Sequence, residues 1–148
     1  MQTLLIALMV WINANLGYTV ELTPPNVEYK TYYQLHTLAY AGKVPFDSAK
    51  PVVQALYIQE TETIYLPVGF VPRAPEQLAV LVHELVHHIQ NLSGKKFKCK
   101  AAQELDAYDL QDKFLKTMGM KIEDVGINWL FVAMVSTCDR RNNIDTNP

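Results

Sequence analysis

Apolar residues open the chain as a run, Leu4-Leu-Ile-Ala-Leu-Met-Val-Trp-Ile12, which gives way to Asn13-Ala-Asn-Leu-Gly17. The run falls short of the about 20 residues that span a bilayer, but it has the length of a signal-peptide core. Ala14 and Gly17 supply small residues for cleavage, although no Lys or Arg precedes the run and the first basic residue is Lys30. The same run also fits an N-terminal helix or strand packed in the core. We take 1–17 as a signal peptide, 18–138 as the folded domain and the polar segment 139–148 as a frayed tail. After the breaker Thr23-Pro-Pro-Asn26, Val27, Tyr29, Tyr32, Tyr33, Leu35, His36 and Tyr40 recur at mixed three-to-four spacing up to Gly42. This pattern predicts a helix over 27–42.

Two β-branched and aromatic segments, Val52-Val-Gln-Ala-Leu-Tyr-Ile58 and Thr63-Ile-Tyr-Leu66, flank the polar Gln59-Glu-Thr-Glu62 and predict a short antiparallel hairpin. Pro72 and Pro75 then mark a helix entrance and Gly94 its stop. Between them Leu78, Val80, Leu81, Val82, Leu85, Val86 and Ile89 cover most of the helix circumference, so this helix is buried on most sides. A second helix is expected over 101–116, stopped at Met118-Gly-Met120. A third is expected over 122–137, with Ile127, Leu130, Phe131 and Met134 on one face. Helices around a small β element give an α+β fold.

Composition narrows the function classes. Of the residues, 49% are hydrophobic and 19% charged, enough for a core. The 13 Lys+Arg against 15 Asp+Glu give a net charge of -2, with no basic surplus to neutralise phosphates, so a nucleic-acid partner is not expected. The two cysteines, Cys99 and Cys138, lack a CxxC neighbour and are expected to pair as in exported proteins.

The chemistry lies in His83-Glu84-Leu-Val-His87, inside the buried helix. Two His at i and i+4 stand one turn apart on one face, so both imidazoles can reach a single zinc ion. Glu84, about 100° around the helix, can hold the water in the fourth position and take its proton. In a chain of this composition HExxH arises by accident with a chance of roughly half a percent. Burying a Glu and two His costs several kcal/mol unless something compensates. A catalytic zinc needs a third protein ligand, and Glu104, Asp106, Asp109 and Asp112 all lie on the following helix. Glu104 is favoured because Ala107 shares its face and lets the two helices approach closely. Asp106 and Asp112 are expected to face solvent, and Asp109 to support a ligand His. His88 points away from the ligands, toward the surface or behind them. Tyr108 is the candidate transition-state stabiliser, with Tyr65 and His36 as alternatives.

His83-Glu84-x-x-His87, followed 17 positions later by Glu104-Leu-Asp-Ala107, resembles the gluzincin branch of zinc metallopeptidases, including small exported bacterial families with a His-Glu-x-x-His-x-x-Gln then Glu-x-x-Ala-Tyr pattern. The resemblance covers roughly residues 55–114. It implies a minimal zincin-like domain holding one Zn²⁺ through His83, His87 and Glu104, with Glu84 as general base in peptide-bond hydrolysis. It also implies a strand before the motif helix, Thr63-Ile-Tyr-Leu66 or Ala55-Leu-Tyr-Ile58, that pairs with extended substrate. Where the ExxxD variant has an Asp that orients a ligand His, this chain has Tyr108. That duty would fall to Asp109, Asp106 or a backbone carbonyl. The expected partner is a peptide or protein substrate, the expected location is the periplasm or outside the cell, and no stable membrane span is expected. Two rival readings remain: a non-catalytic zinc-binding module, and an interaction protein whose buried HExxH is structural.

Overall fold

The computed structural model describes residues 1–138; the tail over 139–148 lies outside them. The fold is α+β, with five α-helices and a three-stranded sheet among the described residues. Gln2–Leu16, nearly all of the segment read above as a leader, forms α1 and is closed by Gly17 in the left-handed region. Leu5, Leu8, Met9 and Ile12 fall on one helix face and are buried in the core, while Ile6 and Val10 stay exposed.

The helix expected over 27–42 divides into strand β1, Asn26–Lys30, and helix α2, Tyr32–Tyr40. Val27 and Tyr29 alternate with Glu28 and Lys30, a period of two that suits a strand. Thr31 then starts the helix afresh. Its hydroxyl accepts from the Gln34 N–H, and the Gln34 side chain accepts from the Thr31 N–H. This reciprocal cap sits in the middle of what reads as one continuous pattern.

The hairpin forms as expected. Leu56–Ile58 (β2) pairs antiparallel with Thr63–Pro67 (β3) through a 3₁₀ turn at Gln59–Thr61 and Glu62 at φ 47°. β1 pairs with β3 in parallel, so the sheet is mixed, in the order β1-β3-β2. The stretch 31–62, with α2 in it, is the long crossover that a parallel pair requires. β3 is therefore central and both its edges are occupied. Of the two segments considered for pairing with substrate, only the one containing β2 keeps an unpaired edge among the described residues.

The motif helix, α3, spans Pro75–Ser93, entered at Pro75 and closed by Gly94 in the left-handed region. The next predicted helix begins as a 3₁₀ turn, Lys100–Gln103, and continues as α4, Glu104–Thr117. The helix expected over 122–137 is broken at Gly126, φ 82°. A 3₁₀ turn at Ile122–Val125 precedes the break, and α5, Trp129–Val135, follows it, capped by the Asn128 side chain accepting from the Phe131 N–H. With only seven residues, α5 buries Val132, and Leu130, Phe131 and Met134 are exposed rather than packed as the pattern suggested.

α3 is the hub. Leu81, Val82, Leu85, Val86 and Ile89 are fully buried between α1, the inner sheet residues Ile64 and Leu66, and Ala107 and Leu110 of α4. A smaller cluster of Ala79, Leu115 and Ile122 closes the other end of α4. Cys99 and Cys138 are joined by a disulfide, with Cα atoms 5.8 Å apart, which ties the entrance of α4 to the chain just beyond α5. No helix among the described residues is long and apolar enough to cross a membrane.

The bridge closes a sequence separation of 39 residues. In the chain-entropy model such a closure stabilises the fold by about 3–4 kcal/mol. The Cys99→Ser/Cys138→Ser double variant is expected to lose this amount in urea unfolding. An unchanged midpoint and slope would show that the bridge contributes nothing.

Candidate metal centre

His83 and His87 stand one turn apart on α3, and Glu104 opens α4 opposite them. Ala107, one turn after Glu104, is fully buried; its single methyl group lets the two helices come close. His83 Nε2 lies 3.2 Å from Glu104 Oε2, His87 Nε2 lies 3.4 Å from Glu104 Oε1, and the two Nε2 atoms are 3.2 Å apart. Two imidazole nitrogens and a carboxylate thus converge on one point, with ligand atoms all within 4.8 Å of one another.

The imidazoles are held in this orientation from behind. His83 Nδ1 lies 3.1 Å from Gln111 Oε1 and His87 Nδ1 lies 3.1 Å from Gln90 Oε1. A glutamine oxygen can only accept, so each Nδ1 carries a proton; the neutral ring then keeps its Nε2 lone pair for the convergence point, and a second proton, on Nε2, makes the hydrogen bond to Glu104. The amide orientation of Gln90 is set by its own partners, since its Nε2 donates to the Gln103 carbonyl at 3.0 Å and to Asp106 at 3.3 Å. Gln90 therefore fixes the ring of one ligand and also the backbone just before another. Both glutamines are 2% exposed. The donor set of two neutral imidazoles and a carboxylate, backed by buried hydrogen bonds, fits a metal ion that takes nitrogen and oxygen ligands.

Electrostatics point the same way. Burial pushes the Glu104 carboxyl up, but hydrogen bonds from His83 and His87 and their charge overcome this and hold it well below the usual range. Burial pulls His87 down, yet the hydrogen bond and charge of Glu104, with the charge of Glu84, leave it raised. Positive charge is favoured at this point, and a cation supplies it without protonating the ligands.

Glu84 is 9% exposed and makes no hydrogen bond or ion pair among the described residues. The Tyr108 ring packs edge-on against His83, with centroids 4.5 Å apart. Burial, with the charges of Glu104 and Glu84, pushes its phenol up to about 12, so the hydroxyl keeps its proton.

The other candidates are placed elsewhere. Asp109 is exposed on α4 and supports no ligand. Asp106 is half-buried and reaches the site only through Gln90. Asp112, expected in solvent, is 4% exposed; it accepts from the Ile122 N–H and pairs with Lys116. His88 is fully buried rather than superficial. Its Nε2 donates to the Thr23 carbonyl at 2.7 Å and its Nδ1 accepts from the Tyr57 hydroxyl at 3.0 Å, pinning α3 to the chain before β1. His36 bonds the Val44 carbonyl on the exposed α2 and packs against Tyr40 and Phe46, and Tyr65 lies under Lys30. The supporting pair that sequence reasoning passed over is Gln90 and Gln111. The available signal was a neutral amide recurring on apolar helix faces three residues after a ligand His and seven after the ligand Glu.

A family model described as Domain of unknown function (DUF6647) matches residues 1–145, and the chain belongs to that family. No curated protein and no solved structure matches the chain.

Two outcomes follow from this geometry. Gln111→Leu, of similar volume but without the acceptor, is expected to weaken metal binding about 10–100-fold in competition titration while the fold persists; unchanged affinity would separate Gln111 from the site. The second concerns the metal-free chain. Glu104 titrates below its ordinary 4.5, so its contribution to stability is present above pH 4.5 and is lost as pH falls further. His87 titrates above its ordinary 6.5, so its contribution is present below pH 6.5 and is lost as pH rises through the raised pKa. The melting temperature of the chelated protein should therefore peak between these values, and Glu104→Gln should flatten the peak.

Proposed function

We propose that this member of the DUF6647 family is a zinc-dependent peptidase of gluzincin type, in which His83, His87 and Glu104 hold one zinc ion and Glu84 is the general base. The observation that carries the reading is the pair of buried glutamines, which commit both Nδ1 atoms and aim both Nε2 atoms, with the Glu104 carboxylate, at one point. A helix that needed only to bury two histidines would let them bond wherever they fell.

Bound zinc would supply Lewis acidity, lowering the pKa of water and polarising a carbonyl. The remaining work falls to the chain's own groups. The Glu84 carboxylate takes a proton from the attacking water and passes it to the departing amine, one group acting first as base and then as acid. The Tyr108 phenol, kept protonated, donates to the oxygen on which negative charge develops. Glu104 and the imidazoles keep their places because Gln90, Gln111 and Ala107 fix the α3–α4 contact. The unpaired edge of β2 offers main-chain groups to an extended peptide. The disulfide supports an oxidising compartment, the periplasm or the outside of the cell.

Metal analysis of the purified chain is expected to find about one zinc per molecule, lost in His87→Ala. Glu84→Gln is expected to keep the zinc and lose at least about 100-fold in peptide cleavage. Cleavage undiminished in Glu84→Gln would overturn the mechanism. Full zinc occupancy with no cleavage of a broad peptide library would make the protein a non-catalytic zinc module. A folded chain that takes up no metal would make the buried triplet structural.

A further inference from the structure

A cavity of about 740 Å³ lies between the first half of α3, the end of β3 and the link from α4 to α5; none of His83, Glu84, His87 and Glu104 lines it. Three of its lining residues tie it to the site. Gln111 reaches it while bonding His83. Phe131 reaches it while packing edge-on against Tyr108, centroids 6.2 Å apart. Val80 sits one turn before Glu84 on the same side of α3. The face bearing His87, His83 and Val80 continues back to Glu76, also in the lining, which lies about 10 Å along the helix axis from His83.

Its chemistry is asymmetric. Val80, Phe70, Ile127 and Met120 are among its apolar walls, and among the described residues the charged members of the lining are two carboxylates, Glu76 and Asp124, with no Lys, Arg or His. Glu76 has no ion-pair partner among the described residues. Asp124 accepts from the Lys121 backbone N–H through one carboxylate oxygen. An aliphatic or aromatic side chain would satisfy the walls but make no use of the two carboxylates. An acidic one would be repelled. A long cationic side chain meets both features, because its methylene stem lies along apolar surface while its head stays at the carboxylates.

We infer that this cavity is the specificity pocket of the site and that it takes a lysine or arginine side chain of a peptide lying across the metal centre. The inference rests on the peptidase reading for the identity of its ligand, and it goes further by naming the residue selected. Glu76 is the main discriminating group, since it is charged, exposed and on the catalytic helix itself.

The test uses the full chain, zinc-loaded and carrying Glu84→Gln so that peptides persist. Fluorescently labelled ten-residue peptides have a central Arg, Met, Phe or Glu in an otherwise Ala/Gly/Ser background, and binding is read by anisotropy. The Arg peptide is expected to bind at least about five-fold more tightly than the Met peptide, which has a similar stem but no charge. Adding Glu76→Gln should abolish most of that preference with little change for the Met peptide, and Glu76→Lys should move it toward the Glu peptide. Glu76 lies exposed in the first turn of α3, and circular dichroism checks that each variant keeps its fold. Equal binding of Met, Phe and Arg peptides, a preference indifferent to Glu76, or no binding of any of the four would overturn the assignment. The same peptides offered to the chain with Glu84 intact separate the two readings. A Glu76-dependent Arg preference without cleavage leaves the pocket and removes the peptidase; cleavage without the preference does the reverse.

Discussion

The structure turns on the cost of placing the imidazoles of His83 and His87 and the carboxyl group of Glu84 in the middle of an otherwise apolar helix. Each of these groups, left without a partner, forfeits several kcal/mol of solvation, more than an ordinary hydrogen bond returns. For the two imidazoles the chain meets this by bringing α4 against α3, with Glu104 in front of the rings and Gln111 and Gln90 behind them, while Glu84 stays without a partner among the described residues. Gln90 is the keystone. One amide bonds His87, the Gln103 carbonyl and Asp106, so the orientation of a ring on one helix and the start of the next are a single hydrogen-bonded unit. The apolar cluster of Leu81, Leu85, Ile89 and Ala107 then supplies the packing that keeps this unit dry.

Much of this was legible in the sequence, and for identifiable reasons. α3 announces itself because Pro75 and Gly94 punctuate both ends and the polar triplet interrupts an apolar run. Glu104 was legible because a small residue one turn later marks close helix approach. What escaped reading depends on partners distant in sequence. Asp112 looks like a surface residue until Ile122 offers it a backbone N–H. The supports of the histidines were sought among carboxylates, but in a buried site a neutral amide accepts the same hydrogen bond without the desolvation cost of a charge. β1 was hidden by its length, since five residues carry too few positions to separate a period of two from mixed helical spacing when an adjacent helix continues the apolar pattern.

The sheet illustrates the same limit. The hairpin is local and was readable, whereas the parallel addition of β1 needs a crossover of about thirty residues and leaves no local mark. Yet that addition decides which strand edge is open beside α3. It buries β3 and leaves β2 at the margin, where Tyr57 also receives the hydrogen bond of Asn91 and meets His88.

The covalent clasp between Cys99 and Cys138 has a consequence for how such a molecule can diversify. It encloses Glu104 and also the link between α4 and α5 that walls the cavity. The cost of closing a loop grows slowly with its length, by about 0.6 kcal/mol for each doubling. With both ends moored, and Ile122 held by the Asp112 carboxylate and the cluster at the end of α4, the exposed positions 123, 124, 126 and 128 of this link can change without moving His83, His87 or Glu104. The hydrogen-bonded groups on α3 and α4 are therefore the fixed part of the design, and the exposed rim of the cavity is the part most cheaply rewritten.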